Sequence, residues 1–149
     1  MPDAKELERI DGLFDLASSR SRPFLDQCSE AKYLAVRDFN RATDETMKLA
    51  MRTLKSADTS FVSSPSLTRT LSQLKTAVKS GQLDANLIDT LSRFRNSYIM
   101  QVLRPAVKTY LSNKDLKTTY LDSYYESALR IDGLLEVFQF LSRIRPNSF

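Results

Sequence analysis

The sequence contains no histidine and only one cysteine, Cys28, in 149 residues. Histidine is the usual general base and the commonest protein ligand for metals, so its absence removes the most frequent catalytic and metal sites. A single thiol cannot form an internal disulfide or a cysteine-type zinc site. The sequence therefore predicts a protein that is not an enzyme, with no catalytic, cofactor or metal site.

Turn-forming residues are also scarce, with three glycines and five prolines. A β-sandwich or a β-barrel needs many tight turns, so this composition argues against both folds. No uncharged apolar run approaches the roughly 18–20 residues of a membrane span. The segment 1–6 is acidic and polar, whereas a secretory signal is basic and then apolar. We expect one globular domain over residues 1–149, in an intracellular, cytoplasmic protein without a membrane span.

The hydrophobic residues recur every three or four positions along most of the chain, which is typical of amphipathic helices. Gly81 is suited to the left-handed residue that ends a helix, and Asp84 is suited to capping the next one. Pro105 lacks a backbone donor and must kink or divide the helix that contains it. The pattern predicts helices near 3–17, 25–57, 66–80, 84–112 and 115–144. The predicted fold is all-α, an antiparallel bundle of four principal helices, one kinked at Pro105, plus a short N-terminal helix.

The predicted core combines small and large apolar residues from several helices. Cys28 falls in line with Ala31 and Ala35, so we expect a buried thiol, and burial in apolar surroundings makes a thiol unreactive. One central core is expected to include Phe39, Leu91, Phe94, Ile131 and Leu135.

The last predicted helix has apolar residues on two sides. Its main stripe runs from Leu121 to Phe138, and a second apolar line lies about 120–180° away around the helix. This second line consists of Leu129, Val137, Phe140 and Ile144. A helix that is apolar on two sides must be covered twice or leave an exposed patch.

Two interpretations of the second apolar line follow from the sequence. The N-terminal helix could cover it within the chain, or another protein or a second copy could dock on it. The leading hypothesis follows the docking interpretation. The protein is then a non-enzymatic helical-bundle interaction protein that serves as a docking or structural subunit of a larger assembly and binds through this apolar line.

The net charge of +4 is unevenly distributed, because residues 61–149 hold 12 basic side chains against 7 acidic ones. At about 100° per residue, Arg93 and Arg104 lie on one side of the predicted helix 84–112, and Lys108 joins them if the kink is small. Such a row can contact phosphates by charge alone, or it can be an ordinary solvated surface. The alternative hypothesis is therefore a nucleic-acid-binding helical protein that uses this basic face.

Overall fold

The computed structural model describes residues 19–57, 65–113 and 115–146, and within these ranges the chain is helical without a β-strand. The described α-helices are α1 (Arg22–Arg37), α2 (Phe39–Ala57), α3 (Pro65–Lys79), α4 (Ala85–Tyr98), α5 (Arg104–Ser112) and α6 (Asp122–Ile144). A π-helical turn, Ile99–Leu103, joins α4 to α5, and a 3₁₀ turn, Thr118–Leu121, precedes α6. The predicted all-α class is confirmed. The predicted N-terminal helix, 3–17, lies outside the described residues.

The prediction of one helix over 25–57 is wrong, because this part forms α1 and α2 with a break at Asp38. Asp38 has φ −148° and ψ 85°, and its carboxylate accepts a hydrogen bond from the backbone N–H of Arg41 at 3.2 Å. An aspartate that caps the following helix in this way competes with helix continuation. The break lets Leu34 and Leu49 line one cleft, although they would lie about 22 Å apart along a straight helix.

The boundary between α3 and α4 agrees with the sequence prediction. Gly81 has φ +70°, and its N–H donates to the carbonyl oxygen of Val78 at 3.0 Å. The left-handed conformation is inexpensive only for glycine, so this position ends α3. Asp84 caps α4, since its carboxylate accepts a hydrogen bond from the N–H of Leu87 at 2.9 Å.

The interruption predicted at Pro105 takes the form of the π-helical turn immediately before it. The N–H of Arg104 donates to the carbonyl oxygen of Ile99, five residues earlier, and both residues keep helical φ and ψ. Pro105 has no N–H, and its ring crowds the carbonyl group four residues earlier in an α-helix. The wider π turn accommodates the proline while the chain stays helical into α5.

The last helix begins at Asp122 and not near residue 115 as predicted. Asn113 ends α5, and its side-chain oxygen accepts a hydrogen bond from the N–H of Asp115 at 3.0 Å. This local turn competes with helix formation. The 3₁₀ turn then leads into α6, which ends at Ile144 as expected.

Contacts along α6 show the directions of its neighbours. Arg95 pairs with Asp132, and the Arg145 guanidinium donates to the carbonyl oxygen of Leu83 at 2.7 Å, so α4 and α6 run in opposite directions. In contrast, α1 and α6 run in the same direction. Arg20, just before α1, pairs with Asp122, and Lys32 pairs with Glu136 at 2.6 Å. Short connections make consecutive helices run antiparallel. Since α1 and α6 are not consecutive in the chain, the expectation of antiparallel neighbours does not hold for this pair.

Two apolar clusters form the core of the described chain. The larger contains buried side chains from α1, α2, α3, α4 and α6. It includes the predicted core residues, with Leu91, Phe94, Ile131 and Leu135 buried and Phe39 packed at the edge. The smaller cluster joins α5 to the start of α6, and its buried members are Ala106, Tyr110, Leu121 and Tyr125.

Candidate docking groove

The four residues predicted as a docking face on the last helix do not form one exposed surface. Val137 has no exposed area, and Phe140 is half-buried against the larger cluster. Leu129 packs against the smaller cluster, and only Ile144 is exposed, at 36%. The reason is that α6 packs against α1, α2 and α4, so both of its apolar sides have neighbours within the chain.

The predicted basic row is divided between two grooves. Arg93 lines a polar groove between α3 and α4, where it pairs with Asp89 at 3.6 Å. Arg104 and Lys108 line a different groove on α5. In an uninterrupted α-helix, Arg93 and Arg104 would lie about 20° apart, but a π turn takes one additional residue and changes this angle by about 100°. The structure therefore brings Arg104 and Lys108 together and separates Arg93 from them.

The groove on α5 has an apolar floor and a basic edge, and we call it the docking groove. Leu103, Val107 and Leu111 follow one another at intervals of four residues and are half-buried. They pack against the smaller cluster, which also contains the buried Tyr125 of α6. The groove has a volume of about 510 Å³. Its lining residues are Leu103, Arg104, Val107, Lys108, Leu111, Ser112 and Tyr125.

Arg104 and Lys108 give the docking groove a positive edge that no carboxylate of residues 19–57, 65–113 or 115–146 neutralises through an ion pair. Both side chains are exposed, and neither forms an ion pair with a residue that the structure describes. The Arg104 guanidinium contacts the sulfur of Met100, with Nη1 and Sδ 3.2 Å apart. Several other basic residues do have carboxylate partners: Arg20 with Asp122 and Glu126, Lys32 with Glu136, Arg93 with Asp89, and Arg95 with Asp132.

The thiol of Cys28 lies in the contact between α1 and α6 and does not face the docking groove. Cys28 is 4% exposed, and burial raises the pKa of its thiol from 9.0 to about 11. A thiol with this pKa is almost fully protonated at neutral pH and is a poor nucleophile. Its position agrees with the predicted role as a small buried residue.

A sequence signal for the docking groove exists, although the sequence-based interpretation did not use it. Leu103, Val107 and Leu111 form an apolar line in α5, and Arg104 and Lys108 lie beside that line. No acidic residue occurs between Asp89 and Asp115, so the basic character of this segment is also visible in the sequence. The buried partner, Tyr125, comes from another helix and could not be assigned from spacing.

None of the helices that the structure describes combines the length and apolar character needed to cross a membrane. In the same ranges, no group of three or more acidic or cysteine side chains is arranged to hold a metal ion. A scan against protein-family models gives no match, and searches of curated proteins and of solved structures give none either.

Proposed function

We propose that this protein is a non-enzymatic interaction module that binds an acidic amphipathic helix of another protein in the docking groove. The observation that carries the proposal is the parallel placement of an apolar line and a basic line on α5. The leading sequence hypothesis of a docking protein is thereby kept, and its docking surface moves from the apolar line on the last helix to α5.

The apolar floor has the dimensions of a helix-binding surface. Leu103 and Leu111 are eight residues apart, which is about 12 Å along α5, or two helical turns. A partner helix that places apolar residues at intervals of three and four presents a matching ridge. Burying two or three such side chains removes apolar area from water on both partners, which favours association.

The basic edge supports an acidic helix as the partner. Arg104 and Lys108 are four residues apart, so their charges repeat after about one helical turn, or 6 Å. Carboxylates four residues apart on a partner helix repeat at the same distance. Charge complementarity of this kind increases association rates and selects against basic partners.

Nucleic acid is less well supported as the partner. The basic row that motivated the alternative hypothesis loses Arg93, whose charge is paired with Asp89. The remaining charges, Arg104 and Lys108, border an apolar floor, and a backbone of phosphates gains nothing from burying apolar surface.

The proposal can be tested with a labelled synthetic peptide of about 15 residues that places leucines on one helical face and glutamates beside them. Fluorescence anisotropy should show saturable binding to the full-length protein, weakened as the salt concentration rises. The double variant R104E/K108E should bind at least about fivefold more weakly, because two attractive contacts become repulsive.

The matched control is R69E/K79E, which changes the net charge equally at two exposed positions on α3. It should bind the peptide like the wild type. A peptide with lysines in place of the glutamates should not bind. Absence of binding by the acidic peptide contradicts the proposal. The proposal is also contradicted if the protein binds vesicles containing phosphatidylglycerol, or duplex DNA, more strongly than it binds the acidic peptide, and if R104E/K108E loses that binding.

A further inference from the structure

The π turn between α4 and α5 solves a problem of helix register. The buried positions along this part of the chain fall at every fourth residue: Phe94, Tyr98, Val102, Ala106 and Tyr110. In an α-helix, each step of four residues rotates the side chain by about 40° beyond a full turn. Over these sixteen residues the rotation would be about 160°, and the first and last side chains would point in nearly opposite directions.

Both ends of this line are nevertheless buried, with Phe94 at 0% and Tyr110 at 1% exposure. The hydrogen bond from the N–H of Arg104 to the carbonyl oxygen of Ile99 closes a turn that contains one residue more than an α-helical turn. One additional residue rotates the following helix back by about 100°. The π turn thus keeps α5 packed on the core and directs the docking groove outward.

The π turn contains one residue more than an α-helical turn, so it presents one more side chain. One side chain in this turn, that of Met100, is large and apolar and faces solvent. Met100 is 56% exposed, and it is one of few large apolar side chains in the described ranges with this exposure. Its sulfur lies 3.2 Å from Nη1 of Arg104, on the basic edge of the docking groove. Methionine is flexible and polarisable, and it is frequent on surfaces that bind helices.

We infer that Met100 belongs to the binding surface and contacts the apolar face of the docked acidic helix at the Leu103 end of the docking groove. Met100 lies within the π turn and contacts Arg104, which lines the docking groove. π turns inside α-helices frequently occur at functional sites. This inference rests on the proposed function, since it assigns an additional contact residue to the same site.

The test uses the acidic peptide described above and the full-length protein. M100A should bind about fivefold more weakly, because the apolar contact of one methionine side chain is lost. M100L, which restores apolar volume, should bind like the wild type. V36A is the matched control, because Val36 is 75% exposed on α1 and lies on a different helix from the groove. Its affinity should not change.

Deletion of Met100 provides a second variant that tests the π turn itself. Removing one residue allows a regular α-helix while α4 and α5 keep their packed faces, so the thermal midpoint should change little. Peptide binding should weaken as in M100A. If both variants bind like the wild type while R104E/K108E loses binding, the inference is wrong and the proposed function stands. If the wild type does not bind the acidic peptide, the proposed function itself is wrong.

Discussion

Cys28 of α1 packs directly against Gly133 of α6, which runs parallel to α1. A Cβ atom added at Gly133 would lie 3.3 Å from Sγ of Cys28 and 3.3 Å from side-chain atoms of Phe24 and Leu25. These distances are shorter than ordinary carbon contacts. Close packing against α1 therefore explains why a glycine, which has a low helix propensity, occupies position 133 inside α6.

A large side chain at position 133 should separate α1 from α6. We expect Gly133→Leu to lower the free energy of unfolding by about 1–3 kcal/mol or more, because a tightly packed interface cannot accept the added volume. Urea denaturation followed by circular dichroism measures the change. Gln139→Leu, at an exposed position of the same helix, is the control and should leave the midpoint nearly unchanged. Equal midpoints for both variants would contradict the close approach.

The second apolar line of the last helix should contribute to stability in the isolated chain. Phe140 packs against the larger cluster, so Phe140→Asp should lower the free energy of unfolding by about 2 kcal/mol, through lost apolar burial and the cost of placing a carboxylate there. Gln139→Asp is the matched control at the neighbouring exposed position. If F140D keeps the wild-type midpoint but loses binding to a partner, the result supports the docking face that the sequence predicted on the last helix.

Alkaline pH should destabilise the protein through Cys28. The folded state raises the thiol pKa from 9.0 to about 11, so between these values it binds more protons than the unfolded state. The stability that this group contributes is fully present below pH 9 and is lost as the pH rises to about 11. Burial also raises the pKa of Tyr98 and Tyr125, which act in the same direction at higher pH.

Cys28→Ala separates the thiol from the tyrosines. Urea midpoints measured at about pH 8 and about pH 10.5 should fall less in this variant than in the wild type, because the contribution of the thiol is absent. An identical fall in the two proteins would mean that the Cys28 thiol does not stay protonated in the folded state.

A photoreactive side chain in the docking groove should identify what binds there. Benzoylphenylalanine in place of Val107, on the groove floor, should crosslink in extracts of the cells that make this protein. We expect an adduct with a segment of another protein that carries apolar residues at helical spacing and carboxylates beside them. The same residue in place of Thr109, which is exposed on the other side of α5, is the control and should not give this adduct.

Mapping the crosslinked atoms distinguishes the other occupants. An adduct with lipid, with nucleic acid, with a second copy of this protein or with its own residues 1–18 would contradict the proposed partner. Loss of the adduct in R104E/K108E would show that the basic edge selects the bound segment.

Much of the helical structure could be predicted from local sequence. The spacing of Leu67, Leu71, Leu74 and Val78 matches α3, and Gly81 and Asp84 act at the predicted boundary. These features depend on interactions between residues a few positions apart, such as helical hydrogen bonds, caps and glycine conformation. The end of α6 and the burial of Cys28 follow from similarly local patterns.

The break at Asp38 could not be predicted from apolar spacing, because Ala35, Phe39 and Ala42 continue the helical rhythm across it. The choice between one long helix and two depends on the contacts that the break permits between α1 and α2. A carboxylate that caps the second helix then stabilises the interruption. The free energy that favours two helices comes from contacts between different segments of the chain. The spacing of apolar residues along one segment carries no information about those contacts.

The sequence by itself determined that this protein is helical and where several of its helices begin and end, because those properties arise from short-range hydrogen bonding and periodicity. Only the tertiary structure decided which apolar faces are covered and which basic residues share a groove. Packing of both Phe94 and Tyr110 requires the π turn, and that turn rotates Arg104 and Lys108 away from Arg93. Inserting one residue as a π turn costs little local free energy. The burial of side chains against other helices therefore decides how α5 is rotated relative to α4.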